Sequence, residues 1–268
     1  MSLYLCGKRA KVPFYYGKLN MRFTSLEEVC YVISRYPLIA VDGLVNEGFV
    51  EWIRENRLSD TLAEELAEGM AAGESSENLL LKITQSANYL TIAEIRSLGV
   101  MMADLRSRKP SERLRLTGKM YLEAGRYRSA YEKFEETLAE LEKELGRTDD
   151  ELETAICRAD RADVICDMVA VCALRFDYQE AERLLEEIEP AERIKRAEEY
   201  RYYLTGDANL SEAEKTELRE KKHRLEMKAR SSGRARKIKT LSSGEYTKFA
   251  QYARDTLKEW KREYRRMI

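Results

Sequence analysis

In the stretch Gly118-x-x-Tyr121-x-x-x-Gly125-x-Tyr127-x-x-Ala130-x-x-x-Phe134, small, aromatic and turn-forming residues fall at the spacing of two helices folded back on each other. Gly118 and Ala130 let antiparallel helices approach closely, Tyr121, Tyr127 and Phe134 fill the seam, and Gly125 supplies the permissive backbone that a tight turn needs. Upstream, Pro110 marks a break and Ser111 is placed to cap a helix carrying Leu114, Thr117, Gly118 and Tyr121. Downstream, Ala130, Phe134, Leu138, Leu141 and Leu145 continue one apolar stripe. The stretch speaks of architecture rather than chemistry.

A weaker copy follows. Tyr178-x-x-Ala181-x-x-x-Leu185 repeats the aromatic, small and apolar spacing of Tyr127, Ala130 and Phe134, with Asp177 near the turn and Pro190 beyond the second helix. Together the two stretches, over about residues 111–190, resemble tetratricopeptide-type helical repeats. The resemblance implies antiparallel helical hairpins stacked as an α-solenoid. It also implies a groove lined by the first helix of each hairpin, where the flanking positions match Arg115, Lys119 and Leu122, then Asp163, Ala170 and Leu174. Arg115 and Lys119 would offer charge-assisted hydrogen bonds to a carboxylate or acidic peptide. Ala130 and Ala181 stand 51 residues apart, whereas the family repeats about every 34, so lengthened helices or an insertion interrupt a regular stack.

The flanking sequence is also helical, apart from its start. Leu3-Tyr4-Leu5-Cys6 reads as a short strand, and residues 11–23, rich in aromatics and holding Pro13 and Gly17, carry no helical period, which predicts a small, partly irregular N-terminal cap. Ser25, Asn46, Ser59 or Asp60, and Thr91 are placed as N-caps, and Ser25-x-x-Glu28 has the form of a capping box. Pro37 helps end the first helix. Ile92, Ile95, Leu98, Met102 and Leu105 predict one apolar stripe. After the second hairpin, helices are expected over 190–204 and from Ser211 to about Lys228, then a last amphipathic helix through Tyr246, Phe249, Tyr252, Leu257, Trp260 and Tyr264. The chain divides on this reading into an N-terminal helical region (1–109), the hairpins (110–205) and basic C-terminal helices (206–268).

Composition agrees with a mostly α protein: 268 residues, 44% hydrophobic and 35% charged, with only 4 Pro and 13 Gly. Five cysteines (Cys6, Cys30, Cys157, Cys166, Cys172) without a Cys-x-x-Cys pair suit reduced, mostly buried thiols rather than a disulfide framework or zinc site. The N-terminus has no signal-peptide pattern and no window reaches the ~20 apolar residues that span a bilayer, so a cytoplasmic protein is expected. The net charge of −1 conceals an asymmetry, because the residues from Lys221 onward hold 16 Lys or Arg against 5 Asp or Glu. That tail either folds back on the chain's own acidic hairpins or meets an external anion.

Enzyme chemistry finds little support. The single histidine, His223, lies in the charged run Glu220-Lys221-Lys222-His223-Arg224, which leaves no histidine triad or multi-histidine metal site. Neither Gly-x-Gly-x-x-Gly nor a phosphate loop occurs, and acidic pairs such as Asp149-Asp150 and Glu186-Glu187 read as solvated helix charge. No catalytic residue, metal or cofactor is expected. The reading is a non-catalytic scaffold for a protein or peptide. The alternative is nucleic-acid or other polyanion binding through Lys221, Lys222, Arg224, Lys228, Arg230, Arg234, Arg236, Lys237 and Lys239, with Tyr246, Tyr252 and Trp260 as stacking faces. Homo-oligomerisation stays open.

Overall fold

The computed structural model describes residues 7–147, 149–189, 194–206 and 208–231, and the side chains of these up to residue 228. The chain forms two compact units, Met1–Tyr200 and Arg201–Ile268. It is mostly helical, with a two-stranded sheet near the start. The expected strand over 3–6, Cys6, and the expected last helix with its basic approach lie outside the described residues.

In the N-terminal part of the first unit, β1 (Phe14–Tyr16) pairs antiparallel with β2 (Met21–Phe23), setting Phe14 opposite Phe23. Asn20 takes the left-handed conformation of the connecting turn at φ 55°, which asparagine tolerates better than most residues. The hairpin is held by aromatics. Phe14 lies 5.2 Å from Phe49 and 5.6 Å from Trp52, ring centre to ring centre, and the Trp52 indole donates to the Val12 carbonyl at 2.7 Å. The Asn56 side chain accepts from the Lys11 and Val12 amides, and the Tyr16 hydroxyl donates to the Ile39 carbonyl at 2.6 Å. A segment without helical period thus has its backbone groups satisfied by helix side chains.

Helices α1 (Leu26–Arg35), α3 (Glu47–Glu55), α4 (Asp60–Ala71), α5 (Ser76–Ser86) and α6 (Ile92–Ser107) begin at Ser25, Asn46, Ser59, Ser75 and Thr91, whose side chains each accept an amide of the first turn. Thr91 and Glu94 complete a reciprocal capping box. At α1 the carboxylate of Glu28 instead accepts from the amide and hydroxyl of Thr24, one residue earlier than the box pattern predicts. Pro37 does more than end α1. It is the first residue of a further short helix, α2 (Pro37–Val41), where its missing N–H is no loss. In α6, Leu98, Met102 and Leu105 are buried, but Ile92 at the first turn is exposed, so the expected stripe is buried only further along the helix.

The central hairpin forms as expected between α7 (Pro110–Glu123) and α8 (Tyr127–Leu145). Pro110 itself opens α7, so Ser111 is a buried helical residue and not the cap. Ala130 and Phe134 are fully buried, and a β-carbon built on Gly118 would come within 2.5 Å of the Phe134 ring. At the turn the Gly125 amide donates to the Leu122 carbonyl (3.0 Å) and the Arg126 amide to the Tyr121 carbonyl (2.8 Å), with Gly125 at φ 71°. This is the Schellman closure that satisfies the last carbonyls of a helix.

The next pair, α9 (Glu151–Leu174) and α10 (Tyr178–Glu186), closes the same way. Phe176 donates to Ala173 (3.1 Å) and Asp177 to Cys172 (2.9 Å), but the residue in the left-handed position is Phe176, at φ 61°. For an L-residue with a β-carbon that conformation costs about 1–2 kcal/mol. Ala181 and Leu185 are buried as expected, whereas Tyr178 is half exposed and not in the seam. Asp150 caps α9 through the Leu152 amide. Helix α11 (Lys195–Leu204) begins in this unit.

In the second unit, α12 (Glu212–Ser231) opens with a reciprocal pair: the Ser211 hydroxyl accepts the Glu214 amide and the Glu214 carboxylate accepts the Ser211 amide. Arg219 donates to the Tyr202 hydroxyl at 2.8 Å, and the Tyr203 hydroxyl donates to the Leu218 carbonyl at 3.4 Å. From Arg219 to Lys228 every side chain of α12 is exposed.

Candidate functional site

Three of the six residues expected to line the groove, Arg115, Lys119 and Asp163, belong to one cluster of charges around Asp167. Arg115 on α7 donates through Nε to Asp167 Oδ2 at 2.9 Å, and its terminal nitrogens lie 3.4 Å from Asp163 and 3.8 Å from Asp160. Lys119, one turn further along α7, sits 3.7 Å from the same Asp167 oxygen. From α11, Arg196 reaches the other oxygen of Asp167 at 2.7 Å and Asp163 at 3.5 Å. The Tyr200 hydroxyl accepts from Arg196 at 3.3 Å, and its ring lies under the guanidinium. The spacing Asp160, Asp163, Asp167 sets three carboxylates on one face of α9.

One carboxylate therefore clasps three helices. The Asp167 side chain is 5% exposed and the Arg115 side chain 17%, so the centre of the cluster is dry, while Lys119, Asp160 and Asp163 are near half exposed at its rim. A carboxylate so buried would be costly alone; two guanidiniums on its two oxygens offset that cost. Burial pulls the Arg196 pKa down, but the hydrogen bond to Tyr200 and the Asp167 carboxylate prevail and raise it above the ordinary arginine value. Beside the clasp, burial pushes the Cys166 thiol up to about 12. The carboxylates that Arg115 and Lys119 meet are thus the chain's own.

The other three expected residues form no part of this cluster of charges. Leu122 is half-buried on α7, one turn beyond Lys119, Ala170 is half-buried on α9, and Leu174 is half exposed at the end of α9. Lys221, Lys222, Arg224 and Lys228 are exposed on α12, while Arg234, Arg236, Lys237 and Lys239, with the side chain of Arg230, lie outside the described residues. Among the described residues no cluster of side chains with metal-ligand spacing occurs and no helix is long and apolar enough to cross a membrane.

Asp167 and Arg196, which complete the clasp, were not singled out from the sequence. The available signal was a lone aspartate, Asp167, inside the apolar run from Val164 to Leu174; a charge there demands a buried partner. Its partner on α11 lies 29 positions away across a loop, and no local spacing points to it. Family models, curated proteins and solved structures were each compared with the chain, and none matches.

Proposed function

We propose that the chain is a non-catalytic scaffold that binds a protein or peptide partner across the surface shared by α7 and α9, the first helices of two hairpins in a tetratricopeptide-like stack. The observation that carries this reading is the clasp, with its buried centre and half-exposed rim. Asp167 and Arg115 fix each other, so Lys119, Asp160 and Asp163 are presented from a preorganised base, and little ordering cost remains on binding. Leu122, half-buried one turn beyond Lys119, supplies apolar contact beside the charges. A rim of both signs favours a partner carrying both, and its charges set orientation and encounter rate more than total affinity.

The test neutralises the rim and spares the centre. Lys119→Gln combined with Asp160→Asn is expected to change the melting temperature little, since ion pairs with a half-exposed partner contribute about 0–1 kcal/mol, while weakening a partner identified by affinity capture roughly tenfold. Unchanged affinity would remove α7 and α9 as the binding surface.

A second reading rests on α12, where Lys221, Lys222, Arg224 and Lys228 are all exposed. If the chain binds polyanions there, its affinity for single-stranded or duplex DNA falls linearly with log salt. No binding at low salt eliminates that reading.

A further inference from the structure

The α9–α10 turn is built against its own backbone preference. In the preceding hairpin the same left-handed position is filled by Gly125, yet here it holds Phe176, whose side chain is 79% exposed. Exposed, the ring gains little burial to offset the strained conformation. Its neighbours repeat the theme. Leu174 and Tyr178 are each half exposed, and the Tyr178 ring stands edge-on to Phe176 with centres 6.4 Å apart. Tyr178 occupies the position that Tyr127 holds in the first hairpin, where that ring is half-buried.

Charge distinguishes this apolar knob from a merely sticky one. Asp177 caps α10 through the Glu180 amide, and Glu180 is held by Arg183 and by the Tyr131 hydroxyl. Arg175, exposed between Leu174 and Phe176, makes no ion pair and no side-chain hydrogen bond among the described residues. The knob therefore offers three apolar side chains around an uncommitted guanidinium. Aromatic residues and arginine are the side chains that most often anchor protein interfaces, and an arginine seeks a carboxylate.

We propose that the Leu174–Tyr178 turn is a docking knob for an acidic amphipathic helix of a partner protein, whose apolar face covers Phe176, Leu174 and Tyr178 while a flanking carboxylate pairs with Arg175. This rests on the scaffold reading and assigns it a second contact, at the turn rather than on the α7–α9 face. A basic helix would place like charge on Arg175 and binds more weakly.

The experiment uses the full chain and two labelled 18-residue amphipathic peptides with the same leucine face, one flanked by Glu and one by Lys. The wild-type chain is expected to bind the Glu peptide saturably and at least tenfold more tightly than the Lys peptide. Phe176→Gly removes the anchor and relieves the turn, so it should raise the melting temperature while reducing Glu-peptide affinity at least tenfold; Phe176→Asn, which also tolerates the left-handed backbone, should do the same. Arg175→Glu should reverse the peptide preference. Glu-peptide binding that survives Phe176→Gly, or no Glu-peptide binding by the wild type, overturns the knob. Loss on Lys119→Gln with Asp160→Asn but not on Phe176→Gly would sink the knob and leave the α7–α9 surface standing.

Discussion

Asp167→Ala is expected to cost about 3–5 kcal/mol of folding stability, the range for removing one partner of a buried ion pair. The reason is what stays behind. Arg115 and Arg196 lose their closest carboxylate oxygens, at 2.9 and 2.7 Å, and are left facing Asp160 and Asp163 at 3.4–3.8 Å across a partly exposed rim. Those rim acids recover part of the loss, which places the expectation at the lower end of the range. Asp163→Ala, at a half-exposed position, should cost no more than about 1 kcal/mol. Urea unfolding midpoints of the two variants test the contrast. Equal and small effects would mean that Asp167 is solvated and the clasp carries little. Replacing Arg115, Asp167 and Arg196 together by Met, Leu and Met should recover most of the stability lost in Asp167→Ala, because apolar packing often replaces a buried ionic cluster without penalty.

The second large effect is expected at the seam of the central hairpin. Phe134 is fully buried against Gly118, and Phe134→Ala should cost about 3–5 kcal/mol through lost burial and the cavity left behind. Gly118→Ala separates two opposing contributions. Helix propensity favours alanine by roughly 1 kcal/mol, but the new methyl would sit 2.5 Å from the Phe134 ring, and overpacking a tight core costs about 1–3 kcal/mol. The ring is enclosed and cannot swing away, so a net loss is expected. Shortening the ring to leucine in the double variant Gly118→Ala/Phe134→Leu should make the pair non-additive, with the double less destabilised than the two singles combined. A stabilised Gly118→Ala would show that the helices do not approach as closely as described.

Much of the fold was legible because it is written locally. N-caps at Ser25, Asn46, Ser59 and Thr91, the glycine turn at Gly125 and the buried trio Gly118, Ala130 and Phe134 follow from short-range hydrogen bonding and from side-chain size. The departures have physical causes as well. Pro37 was read as a stop, yet a residue that ends one helix is equally suited to begin another, and only tertiary packing decides. Ile92 fitted a helical period, but at the start of α6 it is exposed, among the described residues with nothing packed over it. Tyr178 matched Tyr127 by spacing and differs in burial, half exposed where Tyr127 is half-buried. The charged cluster was the least legible part. Arg115, Lys119 and Asp163 were singled out by their positions on the first helices, but their mutual pairing depends on Asp167 and Arg196, which come together only when α7, α9 and α11 do.

The clasp by a single buried carboxylate is the claim on which the scaffold reading depends, and native-state hydrogen exchange of Asp167→Asn against the wild type tests it most directly. The amide preserves shape and removes charge. The predicted result is faster exchange in residues 195–200 of α11 and around Arg115 on α7, with protection in α8 and α10 retained. Unchanged exchange in α11 and α7, or an equal loss of protection across all four hairpin helices, would contradict it.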